Sequence, residues 1–263
     1  MTYLANMLAR DGYEVRTWRL AGTPDNAEPD HAAASDRVIL PVPLAGNGLL
    51  NGTELPLCEL WPRFRVRQRI YAGAVGRTER AAAEELGLRL TDYYQDEALT
   101  VQNAVPTAEG ALAAAMERMS VTLHGAPCLV VGFGRIGRLL ARDLAALGAE
   151  VSVSARRPES FAWIDALGYR GLHTERLSGR LGEFRAVFNT VPHMVLDAPL
   201  LRELRPDCVL IELASLSGID REAAEAMGLS YCKAGGLPGK AAPETAASAI
   251  LDTLYRIWED EDL

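Results

Sequence analysis

The sequence has few cysteines and no long apolar run. Its four cysteines, Cys58, Cys128, Cys208 and Cys232, match neither the spacing of a metal site nor a disulfide framework. No apolar stretch approaches the roughly 18 residues needed to span a bilayer, and the N-terminus lacks the pattern of a signal peptide. The sequence therefore predicts a soluble, cytoplasmic protein without a metal, in which Cys128 and Cys208 are small buried hydrophobes.

Basic residues are fewer than acidic ones, and lysine is the rarer of the two basic residue types. The chain carries 27 Lys and Arg residues against 35 Asp and Glu residues, a net charge of −8, which argues against a general nucleic-acid binder. The only lysines are Lys233 and Lys240, in a chain that otherwise uses arginine. Lys240 lies in a segment rich in glycine and proline. It is either a candidate for binding a carboxylate or an ordinary surface lysine.

The stretch 128–157 has the pattern of strand, glycine turn, helix and strand. A short apolar run precedes the glycines, an apolar stripe with helical spacing follows them, and 150–154 alternates like a strand. In this context G-x-G-x-x-G indicates a Rossmann unit, whose helix N-terminus faces a pyrophosphate. The cofactor-binding residues predicted here are Gly132, Gly134, Arg135, Ile136 and Gly137.

The end of the second strand indicates which dinucleotide binds. A site for NAD usually places Asp or Glu there to bind the ribose hydroxyls, but no acid occurs before Glu159. Ser154, Arg156 and Arg157 suit a 2′-phosphate, because arginine presents a planar fork to phosphate oxygens. We therefore expect NADP, with NAD as the alternative cofactor and a solvated basic turn as the alternative reading of the two arginines.

Alternation of strands and helices along the chain predicts an α/β protein with two doubly wound parallel-sheet domains. This arrangement resembles that of formate/glycerate-type dehydrogenases. Residues 1–105 are expected to form a flavodoxin-like substrate domain, and 106–119 a connecting helix with Pro106 in its first turn. Residues 120–242 are expected to form a Rossmann NADP-binding domain. The last segment, 243–263, is expected to be a helix that returns to the first domain.

The first domain opens on a helix at 2–10, although a doubly wound domain normally opens on a strand. A strand is predicted at 14–18, and a mobile loop at 45–54 from its glycines and asparagines. In a flavodoxin-like order the first strand is central, so its loss would leave two neighbours without backbone partners. The hypothesis from the sequence is that this strand is missing and that the native polypeptide begins upstream.

In the second domain, loops at the carboxyl ends of the parallel strands should form the ligand crevice. These loops are 189–193, 214–218 and 235–240. Their predicted cofactor-binding residues are Asn189, Thr190, Val191, Pro192, Gly236 and Leu237.

Five segments together resemble the A-subunit family of dipicolinate synthase. They are N-A-V-P-T-A-E-G at 103–110, the glycine turn at 132–137, N-T-V-P at 189–192, E-L-A-S at 212–215 and G-L-P-G-K-A-A-P at 236–243. Two features depart from the family pattern: the initial strand with its Gly-Asp-x-Arg turn is absent, and 214–218 reads A-S-L-S-G in place of A-S-x-P-G-G.

The resemblance implies oxidation of a dihydrodipicolinate, derived from 4-hydroxy-tetrahydrodipicolinate of the lysine pathway, to pyridine-2,6-dicarboxylate with a nicotinamide cofactor. It also implies a role in sporulation, in the mother-cell cytoplasm, with a flavoprotein-like B subunit. A homo-oligomer is left open.

Aromatising such a ring requires a hydride acceptor, a base and groups that hold two carboxylates. Lys240 is the candidate carboxylate ligand, and Glu109 is either the acid or base or a first-turn carboxylate favoured by the helix dipole. Asn103 and Thr107 are expected to position the substrate. His193 either lies beside the nicotinamide or is an exposed loop histidine.

Pro43 and Gly73 complete the expected substrate site, and Lys240 is expected to face Glu109 across an interdomain cleft. Two alternatives remain. One is a dehydrogenase of 2-hydroxy or 2-amino acids, although the Arg, Glu and His set of 2-hydroxy-acid dehydrogenases is not found. The other is a non-catalytic dinucleotide-binding subunit.

Overall fold

The computed structural model describes residues 1–20, 22–23 and 27–262 of the chain. It divides into two compact units: Met1–Gln102 together with the C-terminal segment from Pro243 onward, and Asn103–Ala242. The helices are α1 (Thr2–Arg10), α2 (Pro29–Ala33), α3 (Leu57–Leu60), α4 (Arg77–Glu85), α5 (Glu97–Met116), α6 (Arg135–Ala146), α7 (Pro158–Ala166), α8 (Ala198–Leu201), α9 (Arg221–Ala226), α10 (Leu237–Ala241) and α11 (Pro243–Asp262). The strands are β1 (Arg37–Ile39), β2 (Ala45–Gly46), β3 (Leu49–Leu50), β4 (Arg69–Ala72), β5 (Arg89–Asp92), β6 (Pro127–Val131), β7 (Glu150–Ala155), β8 (Arg170–His173), β9 (Ala186–Asn189), β10 (Val209–Glu212) and β11 (Ser230–Lys233).

The first unit is built on a parallel sheet of three strands in the order β1-β4-β5. Side chains alternate across it: Ile70 packs with the cluster that includes Trp61, while its neighbour Tyr71 packs with Leu4 and Trp258 on the other face. Helices α1 and α11 cover that second face, so the predicted N- and C-terminal helices both contribute to this core.

Two predictions in the first unit are wrong. Residues 14–18 form no strand; only Thr17 makes an isolated bridge. This segment and β1 both line a cavity of about 1250 Å³, and no neighbouring strand pairs with it within the described residues. The predicted loop 45–54 contains the short hairpin β2-β3, with Asn47 and Gly48 at positive φ in its turn.

The second unit contains a parallel sheet of six strands in the order β11-β10-β9-β6-β7-β8. Helices cover both faces: Cys128 and Val130 of β6 pack with Leu140 of α6, whereas Leu129 packs with Leu201 of α8. The chain runs outward from β6 to β8, then returns to β9 and continues to β11 on the other side. The fold is therefore the doubly wound α/β class predicted from the sequence, with a topological switch point between β6 and β9.

Helix α5 differs from the connecting helix predicted at 106–119. It begins at Glu97, because the Asp96 carboxylate accepts a hydrogen bond from Leu99 N at 2.8 Å and caps it. Pro106 therefore lies inside the helix and not in its first turn. Since proline has no N–H, the regular bond to the Gln102 carbonyl cannot form, and the boundary between the two units falls directly after Gln102.

Candidate functional site

The glycine turn between β6 and α6 is shaped by its own backbone. Gly132 has a φ of +97°, and a Cβ there would lie 2.5 Å from Thr190 Oγ1. A Cβ on Gly137 would lie 2.2 Å from the Gly132 carbonyl oxygen. Both positions exclude a side chain, so the first and third glycines let the turn close and let α6 pack against it.

Gly134 differs from the other two glycines. Its φ and ψ are −84° and −160°, and a Cβ placed on it would meet nothing within 4 Å. The protein itself therefore does not require glycine at this position. Gly134 is also the N-cap of α6, and it offers no side chain to the N–H groups of the first turn, where Arg135 and Ile136 begin the helix. Open space beside uncapped donors fits the close approach of a pyrophosphate.

The end of β7 presents two arginines. Ala155 is its last residue, and Arg156 and Arg157 follow it before α7 begins at Pro158. Both arginine side chains are exposed, and within the described chain neither donates to a carboxylate or a carbonyl. Two guanidiniums at this position suit a phosphate ester on the ribose.

Ser154 does not belong with the two arginines. Its side chain is fully buried, and its hydroxyl oxygen accepts a hydrogen bond from Thr174 Oγ1 at 3.2 Å. The side chain of Ser154 points from β7 into the core, so the predicted contact with the 2′-phosphate is wrong. Its hydroxyl joins β7 to the turn after β8.

The loop after β9 packs against the glycine turn. Thr190 Oγ1 donates to the Val131 carbonyl at 2.9 Å, and the Val191 side chain would lie 2.8 Å from a Cβ on Gly132. Pro192 and His193 follow and are exposed. The structure therefore brings together the glycine turn and the loop 190–193 predicted to bind the cofactor.

Asn189 is the buried member of that predicted set. Its Nδ2 donates to the Val191 carbonyl at 3.0 Å and to Glu212 Oε1 at 2.9 Å, and its Oδ1 accepts from Val191 N at 3.2 Å. With no exposed surface, Asn189 shapes the loop and does not reach solvent. The sequence predicts no role for Glu212. The feature that could have indicated one is a carboxylate at the end of an otherwise apolar strand.

Helix α10 approaches α5 closely at Gly110. A Cβ on Gly110 would lie 3.1 Å from both Ala241 Cβ and Leu237 Cδ2, so glycine permits the close approach. The segment 235–240, predicted as a loop, contains α10, because Gly236 adopts a left-handed φ of +67° and Pro238 stands in the first helical turn. Leu237 therefore packs against α5, and Gly236 starts the helix.

Glu109 and Lys240 are both exposed on these two helices. Glu109 and Lys240, predicted to face each other across an interdomain cleft, belong to the same compact unit. Lys240 Nζ donates to the Gly235 carbonyl at 2.9 Å. Within the described chain Lys240 makes no ion pair, which leaves two of its three donors for a ligand.

Asn103 and Thr107 occupy the turn of α5 that precedes Glu109. Thr107 Oγ1 donates to the Asn103 carbonyl at 2.7 Å. Asn103 is 5% exposed, and its Oδ1 is buried without a hydrogen-bond partner in the described structure. A buried acceptor without a donor is costly, and a ligand N–H or O–H would satisfy it.

Pro43 and Gly73 lie in the first unit, beyond the carboxyl ends of β1 and β4. A Cβ on Gly73 would lie 2.5 Å from Val42 Cβ and 2.8 Å from Tyr93 Cε2, and Leu44 N donates to the Gly73 carbonyl at 2.7 Å. Glycine is thus required for packing at this position. Pro43 is exposed.

The thiols in the sheet of the second unit have no role in this site. Burial raises the pKa of both Cys128 and Cys208 to about 12, so both remain protonated and unreactive at neutral pH. Among the residues that the structure describes, no cluster of His, Cys, Asp and Glu side chains could hold a metal ion. In the same part of the chain, no helix is long and apolar enough to cross a membrane.

The doubly wound sheet, the glycine turn and the uncapped helix N-terminus define a class: an NAD(P)-dependent oxidoreductase with a Rossmann domain. Residues 94–227 match the family described as D-isomer specific 2-hydroxyacid dehydrogenase, NAD binding domain. The chain belongs to this family and is a dehydrogenase-type subunit that binds a nicotinamide dinucleotide.

Comparison with individual proteins confirms the resemblance found in the sequence. The chain is 34% identical over 170 residues to the A subunit of dipicolinate synthase from Bacillus subtilis (strain 168), an alignment that covers 64% of this chain and spans 57% of that relative. The crystal structure of the dipicolinate synthase A subunit from Bacillus halodurans superposes with a TM-score of 0.87 at 26% identity, covering 97% of this chain and 93% of the other.

A more distant structure shares the fold. D-lactate dehydrogenase from Escherichia coli superposes with a TM-score of 0.66 at 18% identity, covering 99% of this chain and 93% of the other. This likeness confirms the predicted α/β dehydrogenase architecture.

Proposed function

We propose that this protein oxidises a dihydrodipicolinate to pyridine-2,6-dicarboxylate with NADP, as the A subunit of a dipicolinate synthase. The observation that carries the proposal is the pairing of α5 with α10 in the unit that also carries the glycine turn. Helix α5 carries a buried acceptor without a partner on Asn103 and an exposed carboxylate on Glu109, and α10 carries the exposed ammonium of Lys240. The similarity to A subunits of dipicolinate synthase over nearly the whole chain supports the same assignment.

The cofactor is assigned from the two ends of the first βαβ unit. The turn at Gly134 and the first N–H groups of α6 would hold the pyrophosphate, and Arg156 with Arg157 would hold the 2′-phosphate of NADP. The absence of an acid at Ala155, where a site for NAD commonly has Asp or Glu, favours the phosphorylated cofactor. When bound, the cofactor would supply the hydride acceptor.

The substrate is assigned from the charge and hydrogen-bonding capacity of α5 and α10. The Lys240 ammonium would bind one ring carboxylate, and the Asn103 Oδ1 atom would accept a hydrogen bond from an N–H or O–H group of the bound ligand. Aromatisation removes one hydride and one proton from the dihydro ring, and the Glu109 carboxylate would take the proton. Pro43, Gly73 and His193 are the remaining proposed contacts, with His193 at the nicotinamide end.

The proposal also covers the binding partners and the cellular location. The substrate would be a small dicarboxylate. The subunit designation of the relatives supports a second subunit, which we propose to be a flavoprotein-like B subunit. We propose that the protein acts in the cytoplasm of the mother cell during sporulation. A homo-oligomer is compatible with this role.

The proposed function is tested with a panel of substrates. The purified chain, with and without a B subunit, is given NADP⁺ or NAD⁺ and one of three substrates: freshly generated dihydrodipicolinate, a 2-hydroxy acid or a 2-amino acid. Formation of pyridine-2,6-dicarboxylate, followed by its ultraviolet absorbance and by chromatography, is expected only from the first. Cofactor reduction by a 2-hydroxy or 2-amino acid would favour a dehydrogenase of that class. Cofactor binding without any turnover would favour a non-catalytic subunit.

A further inference from the structure

Glu212 is a charged side chain buried completely at the end of β10. All four of its hydrogen-bond partners are donors, two on each carboxylate oxygen. Oε1 accepts from Asn189 Nδ2 at 2.9 Å and from Ala214 N at 3.0 Å. Oε2 accepts from Gly218 N at 2.7 Å and from Ile219 N at 3.0 Å. An ionised carboxylate is the only side chain of this size that can accept at all four positions.

These four bonds join two loops that follow different strands. Asn189 ends β9 and shapes the loop 190–193 through both of its side-chain atoms, whereas Ala214, Gly218 and Ile219 belong to the loop after β10. The carboxylate of Glu212 therefore acts as a shared acceptor at the point where the two loops meet.

Gly218 is the second point at which the loops are joined. A Cβ on it would lie 2.4 Å from Asn189 Nδ2 and 2.6 Å from the His193 and Val191 carbonyl oxygens. Its own carbonyl accepts from Val195 N at 2.8 Å. No side chain fits in this position, so the spacing between the two loops is set by backbone contact.

The exposed Lys233 side chain binds the loop 214–217, which follows β10. Its Nζ donates to the Ala214 carbonyl at 2.5 Å and lies 3.4 Å from the Ser215 carbonyl and from Ser217 Oγ. Within the described residues the ammonium makes no ion pair with a carboxylate. Lys233, unlike Lys240, is thus bonded to the loop 214–217.

The topology indicates which half of the cofactor these loops serve. The glycine turn follows β6, and the arginines follow β7, on one side of the switch point. Strands β9 and β10 lie on the other side, so the loops that Glu212 joins border the half of a dinucleotide opposite to the adenosine.

We propose that Glu212 is a positioning residue that fixes the loops 190–193 and 214–218 into one rigid wall for the nicotinamide half of the cofactor. This inference rests on the proposed use of a nicotinamide dinucleotide in this crevice. It assigns Lys233 the role of holding the same wall from outside, in contrast to the substrate role proposed for Lys240.

The variant that tests the proposal is Glu212→Gln, which keeps size and shape but replaces one acceptor oxygen with an NH₂ group. That group would point at two donors, whichever way the amide is turned. The dissociation constants of the full-length variant are measured by titration calorimetry for NADPH and for 2′,5′-ADP, which carries only the adenosine half. NADPH should bind at least ~10-fold more weakly, because loss of one set of charge-assisted bonds loosens the wall, while 2′,5′-ADP should bind within about twofold of wild type.

A matched control is Glu203→Gln. The Glu203 carboxylate also accepts bonds from a hydroxyl and a backbone N–H, at Ser178 and Gly179, but it precedes β10, whereas Glu212 is the last residue of that strand. The control should bind both ligands normally. Lys233→Met provides a second test, since an exposed lysine can be removed without disturbing the core; it should weaken NADPH about threefold and leave 2′,5′-ADP unchanged.

Hydrogen exchange tests the role of Glu212 independently of which cofactor binds. The amides of Ala214, Gly218 and Ile219 should exchange at least ~10-fold faster in Glu212→Gln than in wild type and Glu203→Gln. Equal weakening of both ligands, or faster exchange across the whole sheet, would show that Glu212 is only a folding residue. Unchanged NADPH binding and exchange in both Glu212→Gln and Lys233→Met would overturn the proposal. If wild type binds AMP and NADH but not 2′,5′-ADP, the NADP assignment fails, and the same comparison with AMP and NADH decides the role of Glu212.

Discussion

Arg156 and Arg157 are the residues expected to distinguish NADP from NAD. Both are exposed directly after β7 and free of internal carboxylate partners in the described chain. Replacing both with alanine should weaken NADP by about 2–4 kcal/mol, since charge-assisted bonds to a phosphate contribute this much together, and should change NAD little. Titration of the double variant with both cofactors checks the prediction. Equal losses for NADP and NAD would show that the arginines do not read the 2′-phosphate.

Lys240 is expected to serve the substrate and not the cofactor. Lys240→Ala should reduce turnover at least ~10-fold, because one charge-assisted bond to a carboxylate contributes about 1.5–3 kcal/mol. Cofactor titration should remain within about twofold of wild type. Lys240→Arg, which keeps the positive charge, is the matched control and should retain more activity. A collapse of cofactor binding in Lys240→Ala would identify the lysine as a phosphate ligand instead.

The four cysteines should separate by burial when the native protein is treated with a thiol reagent. Cys58 is exposed and Cys232 half-buried, whereas Cys128 and Cys208 have no exposed surface and a pKa raised by burial to about 12. We expect Cys58 to react first, Cys232 more slowly, and Cys128 and Cys208 only after unfolding. Peptide mapping of the labelled protein measures this order; rapid native labelling of Cys128 or Cys208 would contradict the packing described for β6 and β10.

At the scale of elements, the glycine turn allows binding to be separated from folding. Gly134→Ala introduces a Cβ that meets nothing within 4 Å, at a φ of −84° that alanine accepts. Its thermal midpoint should match or slightly exceed that of wild type, while cofactor affinity should fall at least ~10-fold because the methyl group occupies the space for the pyrophosphate.

Two other glycines serve as controls for that variant. Gly46→Ala, in the first unit, also meets nothing within 4 Å and should change neither property. Gly137→Ala would place its Cβ 2.2 Å from the Gly132 carbonyl oxygen and should cost about 1–3 kcal/mol of stability or more. Normal cofactor affinity in a stable Gly134→Ala protein would show that no ligand approaches this turn.

Elements of the second unit could be predicted well from the sequence because their signals are local. The apolar run at 128–131, the helical stripe after Gly137 and the glycines that end helices are all visible within a few residues. The start of α5 is harder to predict because Pro106 is a strong N-terminal signal, whereas the Asp96 cap earlier in the chain is a weaker one. The segment 14–18 has a strand pattern, but a strand also needs a neighbour, which one segment cannot reveal.

At the scale of the whole molecule, the contacts that define the site join distant parts of the chain. Asn189 and Glu212 are 23 residues apart, and the close approach of Gly110 to Ala241 joins α5 to α10 across most of the second unit. No local pattern in the sequence encodes such pairs. Resemblance to a known family indicates the segments that meet, but it does not indicate that Ser154 points inward or that Glu109 and Lys240 belong to one unit.

The central claim is that this chain couples aromatisation of a dihydrodipicolinate to reduction of a nicotinamide cofactor. The most direct test is an anaerobic reaction of the purified protein with the proposed B subunit, fresh dihydrodipicolinate and NADP⁺, in which both products are quantified together. Exclusion of oxygen removes the competing spontaneous oxidation, and a reaction without protein measures what remains. The account predicts equal amounts of pyridine-2,6-dicarboxylate and reduced cofactor, and loss of both in Lys240→Ala. Dicarboxylate formed without reduced cofactor, or no product above the protein-free reaction, would contradict it.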